Sequence, residues 1–107
     1  MRTESGKILI SVAPDTKNDA LALCMEVGAF LQAHKLNEAV THSICICRED
    51  QHSEFLISSP CGVCQERLVH WGGEVKVAVS TAENTLVFRT IRELMPYHWS
   101  IVSGEQL

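Results

Sequence analysis

The stretch that most constrains this chain is Ser59-Pro60-Cys61-Gly62-Val63-Cys64-Gln65-Glu66-Arg67-Leu68. Two thiols three residues apart at the mouth of a helix can clasp one metal ion. Pro60 suits the first helical turn, where a missing N–H costs nothing. The partial positive charge at a helix N-terminus favours thiolate over thiol. The spacing alone leaves three uses open: zinc ligation, dithiol redox chemistry and plain packing.

Composition narrows the field. With 46% hydrophobic and 21% charged residues, the 107-residue chain reads as one globular domain spanning 1–107. Net charge is −4, with no run of Lys or Arg, so long nucleic acid is not an expected partner. No apolar run approaches the roughly 20 residues of a membrane span. Ile8-Leu9-Ile10 is too short for a secretory core and follows Glu4. Five cysteines form an odd set, and the expectation is reduced thiols in the cytoplasm.

Taken in order, the chain predicts a strand end at its start, a turn at Glu4-Ser5-Gly6 and a strand over Lys7–Val12. A loop over 13–19 follows, with Asn18 or Asp19 as the cap of a helix from Ala20 to about Leu36. The apolar stripe of that helix is Leu23/Cys24, Val27, Phe30/Leu31 and His34. Strands are expected over Thr41–Cys47, Glu54–Ser58, Glu74–Ser80 and Thr85–Thr90. The helix carrying Cys64 runs to about Trp71 and stops at Gly72-Gly73, and a short helix spans Ile91–Met95. Helices alternating with buried strands indicate an α/β fold, one sheet between helices.

A second motif gives the first its meaning. Cys24-Met25-Glu26 stands near the start of the first long helix. Three thiolates would fill three tetrahedral positions on zinc and leave the fourth to water, the arrangement of a catalytic site. Zinc lowers the pKa of such a water toward about 7. A carboxylate that is not a ligand, Glu26, can then shuttle a proton to a leaving amine. On a helix, residues 24 and 26 would stand roughly 200° apart, so both reach one site only over the helix end.

At these residues the chain resembles the zinc-dependent cytidine deaminase superfamily, whose signature is His/Cys-x-Glu followed by Pro-Cys-x-x-Cys. It is most similar to the small homotetrameric cytidine deaminases and blasticidin-S deaminase. Cys24-Met25-Glu26-Val27-Gly28-Ala29-Phe30 looks like their Cys-Ala-Glu helix start, and Ser58–Cys64 like their Ser-Pro-Cys-Gly-x-Cys. Ile91-Arg92-Glu93-Leu94-Met95-Pro96 is similar to a Leu-Leu-Pro segment near their C-terminus. The resemblance implies a three-layer α/β/α sandwich around a mixed sheet of about five strands. It also implies one Zn2+ per chain on Cys24, Cys61 and Cys64, and a homo-oligomer, tetramer or dimer. The implied reaction is hydrolytic deamination of a cytosine-like ring. Hydroxide generated at zinc attacks C4, and Glu26 carries a proton to the departing ammonia. Backbone groups of Met25 and Ser59 would meet the pyrimidine edge.

The chain departs from the family pattern in four places. It begins within the first strand, without the family's N-terminal helix. The ribose-holding Asn-x-Glu falls near Ala13-Pro14-Asp15, leaving Asp15 as a candidate ribose or side-chain contact. The Arg that often follows Cys-Ala-Glu is Val27, and the Arg-Gln after the second cysteine pair is Gln65-Glu66. Arg67 is the nearest cation left to offset thiolate charge. A zinc-stabilised binding module without catalysis, inactive or truncated, is the alternative from another class, and a dithiol redox protein is a third. Cys45 and Cys47 read as small core residues. The five histidines show no ligand spacing to one another. Trp71, Tyr97 and Trp99 read as core or interface aromatics.

Overall fold

The computed structural model describes residues 1–107. Its strands are β1 (Arg2–Thr3), β2 (Val40–Ser43), β3 (Cys45–Cys47), β4 (Leu56–Ser58), β5 (Lys76–Ala78) and β6 (Phe88–Thr90). Its helices are α1 (Val27–Leu36), α2 (Gly62–Leu68) and α3 (Ile91–Leu94), with 3-10 turns at Asp19–Leu21, Val69–Trp71 and Trp99–Ser103. The class is the expected α/β with a mixed sheet. The order is β1-β2-β5-β6, with β2 and β5 parallel and the other pairs antiparallel.

The sheet is not one array of about five strands. It has four, and β3 and β4 form a separate antiparallel pair with Cys45 opposite Ser58. The single strand expected over Thr41–Cys47 breaks at Ile44, because its two halves find different neighbours. The first half lies between β1 and β5, and the second pairs only with β4.

Two further elements differ from expectation. Over 7–12 there is only a bridge between Ile8 and Arg2. The Met1 ammonium donates to the Leu9 carbonyl at 2.8 Å, and the Leu9 N–H donates back to Met1 at 2.8 Å. Beyond Leu9 the segment has no strand partner. The long helix begins at Val27, not Ala20. Asn18 caps only a 3-10 turn, accepting from the Ala20 N–H at 2.9 Å, and Ala22 is extended (φ −63°, ψ 139°). Helix propensity over Ala20–Leu23 is overridden by tertiary structure, leaving Leu21 and Leu23 exposed.

Helix α1 buries Val27, Ala29 and Ala33, while Leu31 faces out. The buried stripe is therefore made of small residues, which lets the helix lie close to its neighbours. Gly28 carries this furthest, since a Cβ there would sit 2.6 Å from the Ser11 Cβ. Asn37, in the left-handed region, ends α1 by donating to the Ala33 and His34 carbonyls. Ala29, Ala33, Leu68, Val40, Val75, Val77, Ile91 and Leu9 form the core. Trp71 packs on its flank, 5.2 Å from the Phe30 ring.

Glu38 ties the N-terminal hairpin to the turn between α1 and β2. It accepts from Thr3 Oγ1 at 2.8 Å, from Ser5 Oγ and from Lys7 Nζ at 2.7 Å. The Lys7 ammonium, with the two hydroxyls, holds its carboxyl down at about 2. A depressed folded pKa means that this stabilisation is complete above the ordinary carboxylate value and is lost as pH falls toward about 2. Glu38→Gln should therefore destabilise the protein at neutral pH. The gap to wild type, measured by urea unfolding, should close on acidification to about pH 2.

Candidate metal centre

The turn that delays α1 places Cys24. From the extended Ala22 the chain runs into a turn closed by the Val27 N–H donating to the Cys24 carbonyl at 3.2 Å. Cys24 and Met25 thus precede the helix, and Glu26 is its N-cap residue (φ −79°, ψ −16°). The expectation that Cys24 and Glu26 ride one helix is corrected. The turn removes the 200° problem, because neither side chain has to reach around a helix.

The other two thiols come from the opposite segment. Cys61 is the N-cap of α2 and exposed, while Cys64, within its first turn, is buried. Pro60 precedes the cap and lies outside the helix proper. Its carbonyl accepts from Gln65 Nε2 at 2.9 Å, and Ser59 is locked to Ser80 by reciprocal bonds of 2.9 and 2.8 Å.

The three sulfurs lie within 4.8 Å of one another, and Cys24 Sγ is 3.3 Å from Cys61 Sγ. A Zn–S bond of about 2.3 Å puts tetrahedral sulfurs about 3.8 Å apart, inside that range. The Cys24–Cys61 contact joins the two segments. That differs from the dithiol reading, which uses only the Cys61–Cys64 pair.

Electrostatics points the same way. The backbone N–H of Cys64, followed by the Cys24 side chain and the backbone of Val63, holds the Cys61 thiol below its ordinary value. Burial pushes the Cys64 thiol up, and Glu26 and Cys24 push it further. Arg67 Nη1 stands 3.5 Å from Cys64 Sγ, a contact that raises the guanidinium pKa. One guanidinium offsets a single charge of three thiolates. A divalent cation among the sulfurs would offset two more, so the donor set fits zinc.

Glu26 completes the site. The residue is 9% exposed, and its Oε2 is buried without a hydrogen-bond partner. Buried polar atoms are paired in the great majority of cases, and an unpaired carboxylate oxygen costs about 1–3 kcal/mol or more. Such an atom beside a cluster of metal-ligand type marks a place for chemistry. Glu26 and Met25 also line an apolar cavity of about 370 Å³ with Ile10, Ile44 and Cys45.

The remaining candidates are more scattered. Ser59 abuts the Pro60-Cys61 step, but its N–H and hydroxyl are both engaged by Ser80. The Met25 carbonyl accepts from Ser11 Oγ at 2.5 Å. Asp15 lies exposed on the extended loop after Val12 and does not line the cavity.

Two features had no signal in motif spacing. Cys45, read only as core, is buried beside Met25 and Glu26. Glu66 anchors the tail, accepting from Trp99 Nε1 at 2.9 Å and meeting His98 Nε2 at 2.7 Å. The Ser100 N–H donates to His98 Nδ1, so the proton sits on Nε2 and is given to Glu66. His98 is thus a tether of the zinc helix. Trp71 is half-buried, whereas Tyr97 is 93% exposed.

An α/β framework that converges three thiols and one buried carboxylate fits a zinc site of the deaminase class. No family model matches the chain, and no curated protein does. Among solved structures, the crystal structure of the cytidine deaminase from Bacillus anthracis superposes with a TM-score of 0.93. The two sequences are 52% identical, over 96% of this chain and 74% of that one. The chain belongs to the cytidine deaminase family, hydrolases that act on a C–N bond.

The cluster makes a direct prediction. Protein purified without added metal should carry about one zinc per chain by elemental analysis, and Cys24→Ser should lose most of it. Zinc retained in the variant would mean a clasp of Cys61 and Cys64 with other ligands.

Proposed function

We propose that this protein is a zinc-dependent hydrolase that deaminates a cytosine-like aminopyrimidine: cytidine, a cytidine analogue or a blasticidin-like nucleoside. The observation that carries the reading is Glu26, a buried carboxylate with one unpartnered oxygen beside three clustered thiols.

Cys24, Cys61 and Cys64 would hold zinc, which would supply the Lewis acidity that makes water a competent nucleophile near neutral pH. As water adds to C4, Glu26 passes one of its protons to the ring nitrogen N3. It then passes the proton of the new hydroxyl to the exocyclic nitrogen, which leaves as ammonia while the ring carbon becomes a carbonyl. Arg67 offsets part of the thiolate charge through Cys64.

Substrate contacts are assigned to the Met25 N–H, which has no hydrogen-bond partner within the chain, and to the Ser59 backbone. In this reading the Ser59 carbonyl, which accepts only from Ser58 Oγ at 3.1 Å, meets the amino edge of the ring. Asp15 is the candidate contact to the sugar or its replacement.

Glu26→Gln should keep zinc and the fold and lower ammonia release by about 10²-fold or more. Cytidine, deoxycytidine, cytosine and blasticidin S are the substrates to screen. Zinc-loaded wild type that releases no ammonia from any of them would favour the alternative, a zinc-stabilised binding module.

The same reading gives a cytoplasmic homo-oligomer, tetramer or dimer. All five cysteines are free, which suits a reducing compartment, and no helix is long and apolar enough to cross a membrane. Ile8, Ile10, Val12, Tyr97 and Val102 are exposed by 66 to 93%, apolar surface that subunit contacts would cover. Sedimentation equilibrium should show a species heavier than the 11.9 kDa chain, and a stable monomer would overturn the assembly.

A further inference from the structure

Cys61 is the one thiol of the metal cluster that stands open to solvent. It caps α2, and its Sγ lies 3.3 Å from that of Cys24, which sits half-buried in the turn ahead of α1. Cys64 is placed differently. It is 1% exposed, inside the first turn of α2, with the Arg67 guanidinium 3.5 Å from its sulfur. An oxidant arriving from solvent therefore meets Cys61 first, and the sulfur facing it from the other segment is that of Cys24. Neither residue lies inside a helix. Shortening their contact to a disulfide of about 2.05 Å asks for a shift of only about 1 Å where two helices begin.

We propose that Cys24 and Cys61 are a modification site: they join in a reversible disulfide when the protein meets a peroxide, and the bond empties the metal site. Peroxide transfers one oxygen to Cys61, giving a sulfenic acid and one water. The Cys24 sulfur then attacks the sulfenic sulfur, the S–S bond forms and the hydroxyl leaves as a second water. Both thiol hydrogens end in water, and the two sulfurs are oxidised while the peroxide is reduced. Spacing alone would pair Cys61 with Cys64, three residues on. The fold favours the partner 37 residues away, because Cys64 is buried and held by Arg67. Only the consequence for zinc rests on the deaminase reading above. A site that loses two of three thiolates keeps Cys64 alone, which cannot hold the ion.

The chain carries its own map for the test. Trypsin cuts after Lys17, Lys35, Arg48 and Arg67, so Cys24 falls on residues 18–35 and Cys45 and Cys47 on 36–48. Cys61 and Cys64 fall together on 49–67. The full-length zinc-loaded protein is treated with hydrogen peroxide, zinc release is followed with a chromogenic chelator, and free thiols are alkylated before digestion. Mass spectrometry should find 18–35 joined to 49–67 through Cys61, with Cys64 alkylated, in step with the release of about one zinc per chain. Reduction with a phosphine should undo the link and let the protein take up zinc again.

A bond within 49–67, a link from 18–35 to Cys64, or zinc release with no link would each overturn the proposal. The same digest on protein stripped of metal reads the bond without reference to zinc, and an absent link there would overturn it too. Protein that forms the link but releases no ammonia from any pyrimidine would overturn the deaminase function and leave the disulfide established.

Discussion

Three sulfurs and a carboxylate converge on one small volume, with Cys64 and Glu26 buried and Cys61 open to solvent, and the rest of the structure is arranged around the cost of keeping them there. Without a cation, burial opposes ionisation of Cys64, while the backbone N–H of Cys64 favours it at Cys61. With zinc, three thiolates become stabilising ligands, and the remaining negative charge is concentrated on one carboxylate. The site is thus built to be completed by a metal and to leave one anionic group free beside it.

Holding that arrangement falls to short, local devices. Ser11 fastens the Met25 carbonyl, and Gly28 is the residue that allows Ser11 to lie so close to α1. Ser59 and Ser80 lock the chain just before the second cysteine pair. On the far side of α2, Glu66 takes hydrogens from His98 and Trp99, so the tail braces the helix that carries Cys64. None of these contacts is large in energy, at about 1 kcal/mol each. Together they fix both halves of the metal cluster to the same core, through Ala29 and Ala33 on α1 and Leu68 on α2.

The gathering of the three thiols was the legible part of the sequence. Ligand spacing survives inspection of a bare chain because thiolates and a carboxylate at those intervals have few other uses. The turn at Gly6 and the helix end at Gly72 were legible for a similar reason, since each rests on a local backbone preference. What periodicity could not show was the late start of α1. Residues 20–23 look helical, and only the demand for Cys24 at the cluster makes the chain turn instead. Nor could it show that the strand after α1 divides at Ile44. That break depends on which neighbour each half finds, a tertiary fact. Cys45 was hidden for the opposite reason. Its surroundings in sequence are those of a core residue, and its burial agrees; only the fold sets it beside Glu26.

The two sides of the site differ in how firmly they are built. Every group assigned to bond making and proton transfer is held by side-chain or backbone contacts that converge on α1 and α2. Asp15, the group assigned to the part of the substrate remote from the ring, lies on an exposed loop and makes no side-chain hydrogen bond. A reaction centre requires fixed geometry, because misplacement by an ångström costs orders of magnitude in rate. Recognition of a sugar or its substitute can be completed by loop movement or by surface from a second subunit. The separation would let the loop over 13–19 change its residues without disturbing the thiol cluster. In the proposed function, substrate identity would be decided at that loop, while the reaction type would be decided at the thiol cluster and Glu26.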